Sequence, residues 1–207
     1  MKAVVFDFGA VLFHWQPLEL LQQVVPELAP DLPAAQRLAG DIFQSFVPGS
    51  DWSRFDLGQL DEEELAGRIA LRIGAQPQQL RRVIDAIPLH LQAEAPTVAL
   101  LGRLQAAGHR SYFLSNMPQS YALHLERVNP FLADFDGGIF SARVGLMKPH
   151  AEIYALAETR FGLDPAHTVF IDDHAGNIEA ARARGWQAVH YTGAPSCEAA
   201  LQATGWL

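Results

Sequence analysis

The sequence predicts an α/β fold: a doubly wound, Rossmann-like parallel sheet with a helical cap inserted after the first strand. Three observations predict it. Short apolar runs alternate with helical patterns through the second half of the chain. A long stretch with no strand pattern, rich in Leu, Gln, Glu and Ala, separates the first apolar run from the second. Several of the runs end on polar side chains, which is where open α/β sheets place their chemistry.

The first run is Ala3-Val4-Val5-Phe6, closed by Asp7 and followed by Phe8-Gly9-Ala10-Val11-Leu12. Its continuous apolar character is that of a strand buried on both faces. Residues 14–90 then read as helical, with helices over 18–25, 34–46, 62–73 and 78–87. Asp61 is placed to cap the third, with Glu64 reaching back in a capping box. Residues 91–108 read as a helix returning to the sheet. Strands follow over 111–114, 168–171 and 187–191, with a weaker one near 138–142. The connecting helices span 118–128, 149–161 and 175–184. In the second of these Ile153, Leu156, Ala157 and Phe161 share a face and Gly162 is the stop; Gly185 ends the third. The expected division is a core of residues 1–13 and 91–207 and a helical cap of residues 14–90.

Composition narrows the function. The chain has 207 residues, 49% hydrophobic and 18% charged, which suits one globular domain with an insert. A net charge of −8 argues against non-specific nucleic-acid binding, though a local pocket can still take a small anion. The one cysteine, Cys197, excludes an intramolecular disulfide and a cysteine metal cluster. The eight histidines have no ligand spacing, so no zinc site is expected. No apolar stretch is long enough to span a bilayer, and the chain opens as a strand without a signal-peptide pattern. A cytoplasmic location, with no membrane partner, is the expectation. Oligomeric state is not set by these features.

The polar groups at the strand ends are Asp7, Ser115-Asn116, and Asp172-Asp173 with Asn177 four residues beyond; Lys148 precedes Pro149 at a helix start. Brought to one crevice, they suit phosphoryl transfer. Asp7 is placed to attack phosphorus and form an aspartyl-phosphate. A carboxylate approaching a phosphate needs positive charge. Asp7, Asp173 and the Gly9 carbonyl form an oxygen set suited to Mg²⁺, and Lys148 adds a cation. The Ser115 hydroxyl and nearby backbone N–H groups are placed to hold the transferring oxygens. Asp172 and Asn177 would fix metal waters and Lys148 from behind.

The four motifs are Val4-Val5-Phe6-Asp7 through Leu12, then Phe113-Leu114-Ser115-Asn116, then Lys148-Pro149, then Phe170-Ile171-Asp172-Asp173 through Asn177. In this order the chain resembles the haloacid dehalogenase superfamily, most of whose members are phosphatases, over nearly its whole length. The resemblance implies Asp7 as nucleophile, Ser115 orienting the phosphate and Lys148 stabilising it. Gly9 and Asn116 complete the implied substrate-binding set, and Asp173 is the direct Mg²⁺ ligand, with Asp172 behind it or exchanging roles with it. The helical insert resembles a C1-type cap, and Trp52, Phe55, Asp56 and Gly58 before Asp61 resemble a stretch common in such caps. Phosphatases of the superfamily usually carry a second Asp two residues after the nucleophile, as general acid and base. Here that residue is Gly9. A subgroup sharing this departure includes sugar-1-phosphate phosphatases, so the expected substrate is a small phosphorylated metabolite, a sugar phosphate among the options. Without the acid, leaving groups that tolerate negative charge are favoured: anomeric, acyl or aryl.

Other residues carry a functional reading beside a structural one. His14 and His174 stand near the motifs and are candidates for the missing proton, though ordinary structural histidines fit better. Trp15, Trp52 and Phe55 read first as helix packing and second as a pocket wall. Gly9, Gly49 and Gly58 read equally as hinges or turns. Two alternative functions remain. A 2-haloacid dehalogenase also does without the second Asp, but it needs no acidic pair such as Asp172-Asp173 and calls for an arginine after the first motif that the sequence lacks. A non-catalytic binding protein on the same fold is the other, against which the intact Asp7, Lys148 and acidic pair argue.

Overall fold

The computed structural model describes residues 2–207. The first strand, β1 (Ala3–Phe6), is buried at every residue. Six helices follow: α1 (Pro17–Val24), α2 (Leu32–Phe43), α3 (Asp51–Asp56), α4 (Glu62–Ile73), α5 (Pro77–His90) and α6 (Ala95–Ala106). The chain then alternates through β2 (Arg110–Ser115), α7 (Gln119–Val128), β3 (Gly137–Phe140), α8 (Ser141–Val144), α9 (Ala151–Phe161), β4 (Thr168–Asp172), α10 (Ala175–Ala183), β5 (Gln187–His190) and α11 (Ala194–Ala203).

The five strands form one parallel sheet in the order β3-β2-β1-β4-β5. The chain builds outward from β1 to β2 and β3, then crosses to β4 and β5. The switch point therefore lies between β1 and β4, where the C-terminal strand ends open a crevice. Register decides what meets there. Phe6 pairs with Ile171, so the next residues, Asp7 and Asp172, emerge side by side. The Asp7 amide donates to the Ile171 carbonyl at 2.9 Å.

The period of two along each strand splits the core into two layers. Val4, Phe6, Phe113, Val169 and Ile171 join a layer that runs on into the helices between β1 and β2. Val5, Tyr112, Leu114 and Phe170 join the other, against Ile153, Tyr154 and Ile178 of α9 and α10. The sheet is therefore covered on both faces, and its central strands need no polar side.

The chain enters and leaves the helical segment at one narrow place. After Asp7 the chain coils tightly, and the Phe8 carbonyl accepts from the amides of Val11, Leu12 and Phe13 at 3.2, 2.9 and 2.8 Å. The outgoing and returning strands then run antiparallel. His14 N donates to Gln92 O and Glu94 N to Leu12 O, both at 2.8 Å, around a Phe13–Ala93 bridge. This return strand is why α6 starts at Ala95, four residues after the start of the expected 91–108 span.

Other departures are local. The weak strand expected over 138–142 is β3, but Ser141 turns into α8. The helix expected over 34–46 starts at Leu32 and stops at Phe43, because Gln44, Ser45 and Phe46 take left-handed backbone. The helix expected from 149 starts at Ala151. The strand at 187–190 is an edge strand with an exposed or half-buried face, not a buried one. The capping box on α4 is present, with Glu64 N donating to Asp61 Oδ1 at 2.8 Å and Asp61 N to Glu64 Oε2 at 3.4 Å. α3 and α11 carry no expectation from the sequence.

The helical segment meets the sheet side at a close seam. Gly58 has φ +71°, and a Cβ there would lie 3.1 Å from the Ala142 carbonyl of α8. Gly58→Ala is expected to lower the unfolding free energy by about 1–2 kcal/mol, the cost of an L-residue held left-handed. Urea denaturation reads it out, and an unchanged midpoint would show that the seam yields.

Candidate active site

Lys148 lies at the centre of the crevice, 2% exposed. Its ammonium donates to Asp7 Oδ1 at 2.8 Å and to Asp172 Oδ2 at 2.7 Å. The register of β1 and β4 supplies the two carboxylates, and the loop before α9 supplies the lysine. Asn116, just past β2, fixes that loop from both sides: Lys148 N donates to Asn116 Oδ1 at 2.9 Å, and Asn116 Nδ2 donates to Lys148 O at 3.0 Å. The Asn116 amide is thus engaged with backbone, although the residue also borders the cavity.

Asp172 is saturated. Besides Lys148 it accepts from His174 N at 2.8 Å and from Asn177 Nδ2 at 3.0 and 3.1 Å. Asp173 is exposed and turned to the same place: Asp7, Asp172 and Asp173 offer oxygens that all lie within 4.8 Å of one another. Three carboxylates against one ammonium leave an excess of negative charge. Burial pushes the Asp7 carboxyl up to about 8, Lys148 pulls against it, and Asp172 and Asp173 add to the push. Burial alone would lower the Lys148 ammonium, but Asp172 and Asp7 outweigh it and hold it above its ordinary value. Asp173 is raised by burial and then by Asp172. A group of hard oxygens carrying surplus negative charge fits a hard divalent cation, which would offset the mutual repulsion of the carboxylates.

The cavity beside these groups has a volume of about 380 Å³. Asp7, Gly9, Asn116, Lys148, Asp173 and Asn177 border its polar end. Ser115 and Asp172 do not line it; both are buried at their strand ends behind that polar end. Trp15, Phe46, Trp52, Ile87, Leu91 and Tyr121 form an apolar wall from the helical segment and α7. Trp15 and Trp52 each pack edge-on to Phe43 as well, so their packing and lining roles coincide. Phe55 packs on Trp52 and Tyr121 and does not line the cavity. His174 lines the cavity. His14 instead pairs with Glu94 at 3.2 Å at the tether.

Gly9 is not the strained residue of its turn. The left-handed position is Ala10, at φ 57°. A Cβ on Gly9 would meet nothing within 4 Å. Its lack of a side chain answers no steric demand.

A family model of the haloacid dehalogenase-like hydrolase matches residues 1–185. The chain belongs to that family. Among its relatives this haloacid dehalogenase-like hydrolase is 27% identical over 191 residues to a sesquiterpene phosphatase of Aspergillus oryzae, covering 92% of this chain and 90% of the relative. Its fold matches a family enzyme of Bacteroides thetaiotaomicron solved with magnesium and inorganic phosphate, at 20% identity and TM-score 0.67, over 91% and 93% of the two chains. It also matches the L-2-haloacid dehalogenase of Xanthobacter autotrophicus, at 21% identity and TM-score 0.67, over 91% and 76%.

One carboxyl of this hydrolase's cavity escaped the sequence-based candidates. Asp56, the last residue of α3, is 4% exposed and lines the cavity. The signal was present as an acidic residue next to buried Phe55 in a Trp52–Gly58 stretch, but a six-residue helix shows too little periodicity to bury it on paper. Burial pushes its carboxyl up to about 8, Asp7 adds to this, and Lys148 opposes it. The Tyr121 hydroxyl is raised by burial, and Asp56 adds to the rise. A carboxyl raised on folding contributes stability below its unfolded value, near 3.8, and loses it as pH climbs through 8. Asp56→Asn is therefore expected to gain melting temperature relative to the parent between about pH 5 and pH 8.5. A difference that stays flat with pH would show that Asp56 ionises freely.

Proposed function

We propose that this hydrolase is a Mg²⁺-dependent phosphomonoesterase that works through an aspartyl-phosphate on Asp7. The observation that carries the proposal is the buried Lys148 bridging Asp7 and Asp172 with Asp173 alongside, all opening on one cavity. Lys148 and the bound cation counter the repulsion between carboxylate and phosphate. Asp7, Asp173 and the Gly9 carbonyl would hold Mg²⁺, which when bound supplies the charge neutralisation that lets an anion approach an anion. Asp172 is spent on Lys148, the His174 amide and Asn177, which favours Asp173 as the direct ligand. Ser115 and Asn116 serve the phosphate end, Asn116 chiefly by holding the Lys148 loop. Residues 14–90 act as a cap that closes the cavity over the sheet edge, and residues 1–13 and 91–207 form the core.

The other end of the cavity bears on the substrate. A sugar phosphate would bring several hydroxyls to a wall of Trp15, Phe46, Trp52, Ile87 and Leu91, which offers them little hydrogen bonding. An apolar organic phosphate, aryl or isoprenoid, fits that wall better. The relative in A. oryzae is by name a sesquiterpene phosphatase, and a sesquiterpene is a hydrocarbon skeleton of this kind. A dehalogenase is disfavoured by a specific lack: no arginine is among the residues lining the cavity to receive a haloacid carboxylate.

Phosphate release from 4-nitrophenyl phosphate is expected to vanish with EDTA and return with Mg²⁺. Asp7→Asn is expected to lower kcat by more than about 10⁴-fold, the scale of losing an enzyme nucleophile. Halide release from 2-chloropropionate without metal, with no phosphate release, would reverse the assignment.

Substrate preference is a separate measurement. Isoprenoid or aryl monophosphates are expected to exceed glucose phosphates in kcat/KM by about 10²-fold, the worth of three or four buried methylenes. Equal or better turnover of glucose phosphates would remove the apolar assignment and restore a sugar phosphate as the substrate.

A further inference from the structure

Gly9 leaves the reaction without a proton donor beside Asp7, and the cavity contains few groups able to replace it. His14 is at the tether, paired with Glu94, outside the cavity lining. Tyr121 lines the cavity but donates its hydroxyl to the Ile84 carbonyl at 2.8 Å. Asp172 is saturated and Asp173 belongs with the cation. His174 borders the cavity from an exposed position. Asp56 differs from all of these. It is buried, it lines the cavity, and among the described residues its carboxyl has no hydrogen-bond partner.

The placement of Asp56 is fixed on both sides. Ser141 Oγ, at the start of α8, donates to the Asp56 backbone carbonyl, and the Met117 amide donates to the same Ser141 Oγ at 2.8 Å. Two residues on, Gly58 lies against Ala142. The end of α3 is thus clamped to the sheet side, beside the loop that follows β2, and the free carboxyl is presented to the cavity from a rigid mount.

We propose that Asp56 is the general acid and then the general base of the reaction, supplied by the helical segment in place of the carboxylate that Gly9 does not carry. The proposal rests on the phosphatase assignment above. In the first step an Asp7 oxygen forms a bond to phosphorus while the bond from phosphorus to the leaving oxygen breaks. The electron pair goes to that oxygen, and the Asp56 carboxyl protonates it to the alcohol. In the second step water attacks phosphorus, the bond to Asp7 breaks, and the pair returns to the Asp7 carboxylate. Asp56, now a carboxylate, takes the proton that water loses, and phosphate leaves with both residues restored. A buried carboxyl kept neutral by its surroundings is suited to this cycle.

This changes the expected range of leaving groups: alkyl phosphates become substrates, because the departing alkoxide is protonated. The test is a series of monophosphates, from 4-nitrophenyl to phenyl to simple alkyl, assayed at saturating Mg²⁺. In Asp56→Asn, kcat/KM for the alkyl phosphates is expected to fall about 10²–10⁴-fold, with little change for 4-nitrophenyl phosphate, whose leaving group needs no proton. Adding Gly9→Asp to Asp56→Asn is expected to recover part of the alkyl activity, since position 9 has open space. An equal loss of kcat/KM on all substrates, or no loss of it, would overturn the proposal, as would an alkyl-selective loss of kcat/KM in His174→Gln in place of Asp56→Asn. Should Asp56→Asn not fold, the parent protein still decides: a shallow dependence of kcat/KM on leaving-group acidity supports the proposal and a steep one refutes it. No phosphate release by the parent from any member overturns the phosphatase assignment and this proposal together. Release with a leaving-group-indifferent loss overturns this proposal alone.

Discussion

The crevice is organised by a single buried cation, Lys148, held between Asp7 and Asp172. Taking three charges out of water costs several kcal/mol per ion, and the cost is offset only when geometry is good and the remaining polar atoms are satisfied. Each neighbouring element contributes to that condition. β1 and β4, in register, bring the carboxylates side by side. Asn116 pins the Lys148 backbone, and Asn177 and the His174 amide saturate Asp172. The Phe170 ring lies 5.4 Å below the ammonium and adds a cation–π contact. Loss of Lys148 would leave two carboxylates buried without a counter-charge.

The same burial shapes the chemistry around it. Electrostatic interactions strengthen as water is excluded, and the apolar wall of tryptophan, leucine and isoleucine excludes it. One end of the cavity therefore concentrates charge while the other repels it. Under the proposed function, this division would orient a substrate with a phosphate at one end and a hydrocarbon body at the other, with no need for many specific hydrogen bonds to the body.

How much of this was legible in the sequence follows from how far each feature depends on distant contacts. β1 and β4 were legible because burial on both faces leaves uninterrupted apolar runs ending in Asp7 and in Asp172-Asp173. Lys148 was legible from its place before Pro149, and the α4 cap from Asp61 and Glu64. β5 was overrated, since the same kind of apolar run served an edge strand. Ala10 was hidden because a left-handed alanine has no sequence signature, and the adjacent Gly9 drew the eye. Asp56 was hidden because the bond that seats its backbone comes from Ser141, 85 residues away in the chain. Local pattern reports which face of an element is apolar. It does not report which polar residue another element will cover.

Gly9 carries a consequence for how such a site changes over generations. Its backbone lies outside the left-handed region and the space beyond its Cα is open, so the fold places no penalty on a side chain there. Glycine and aspartate codons can differ by one base. A carboxylate can thus be added beside Asp7 by a change at this one residue, with no rebuilding of the core. A lineage carrying this architecture stands one substitution from having two carboxylates in the first motif, and under the role proposed for it Asp56 on α3 would then be free to drift toward substrate recognition.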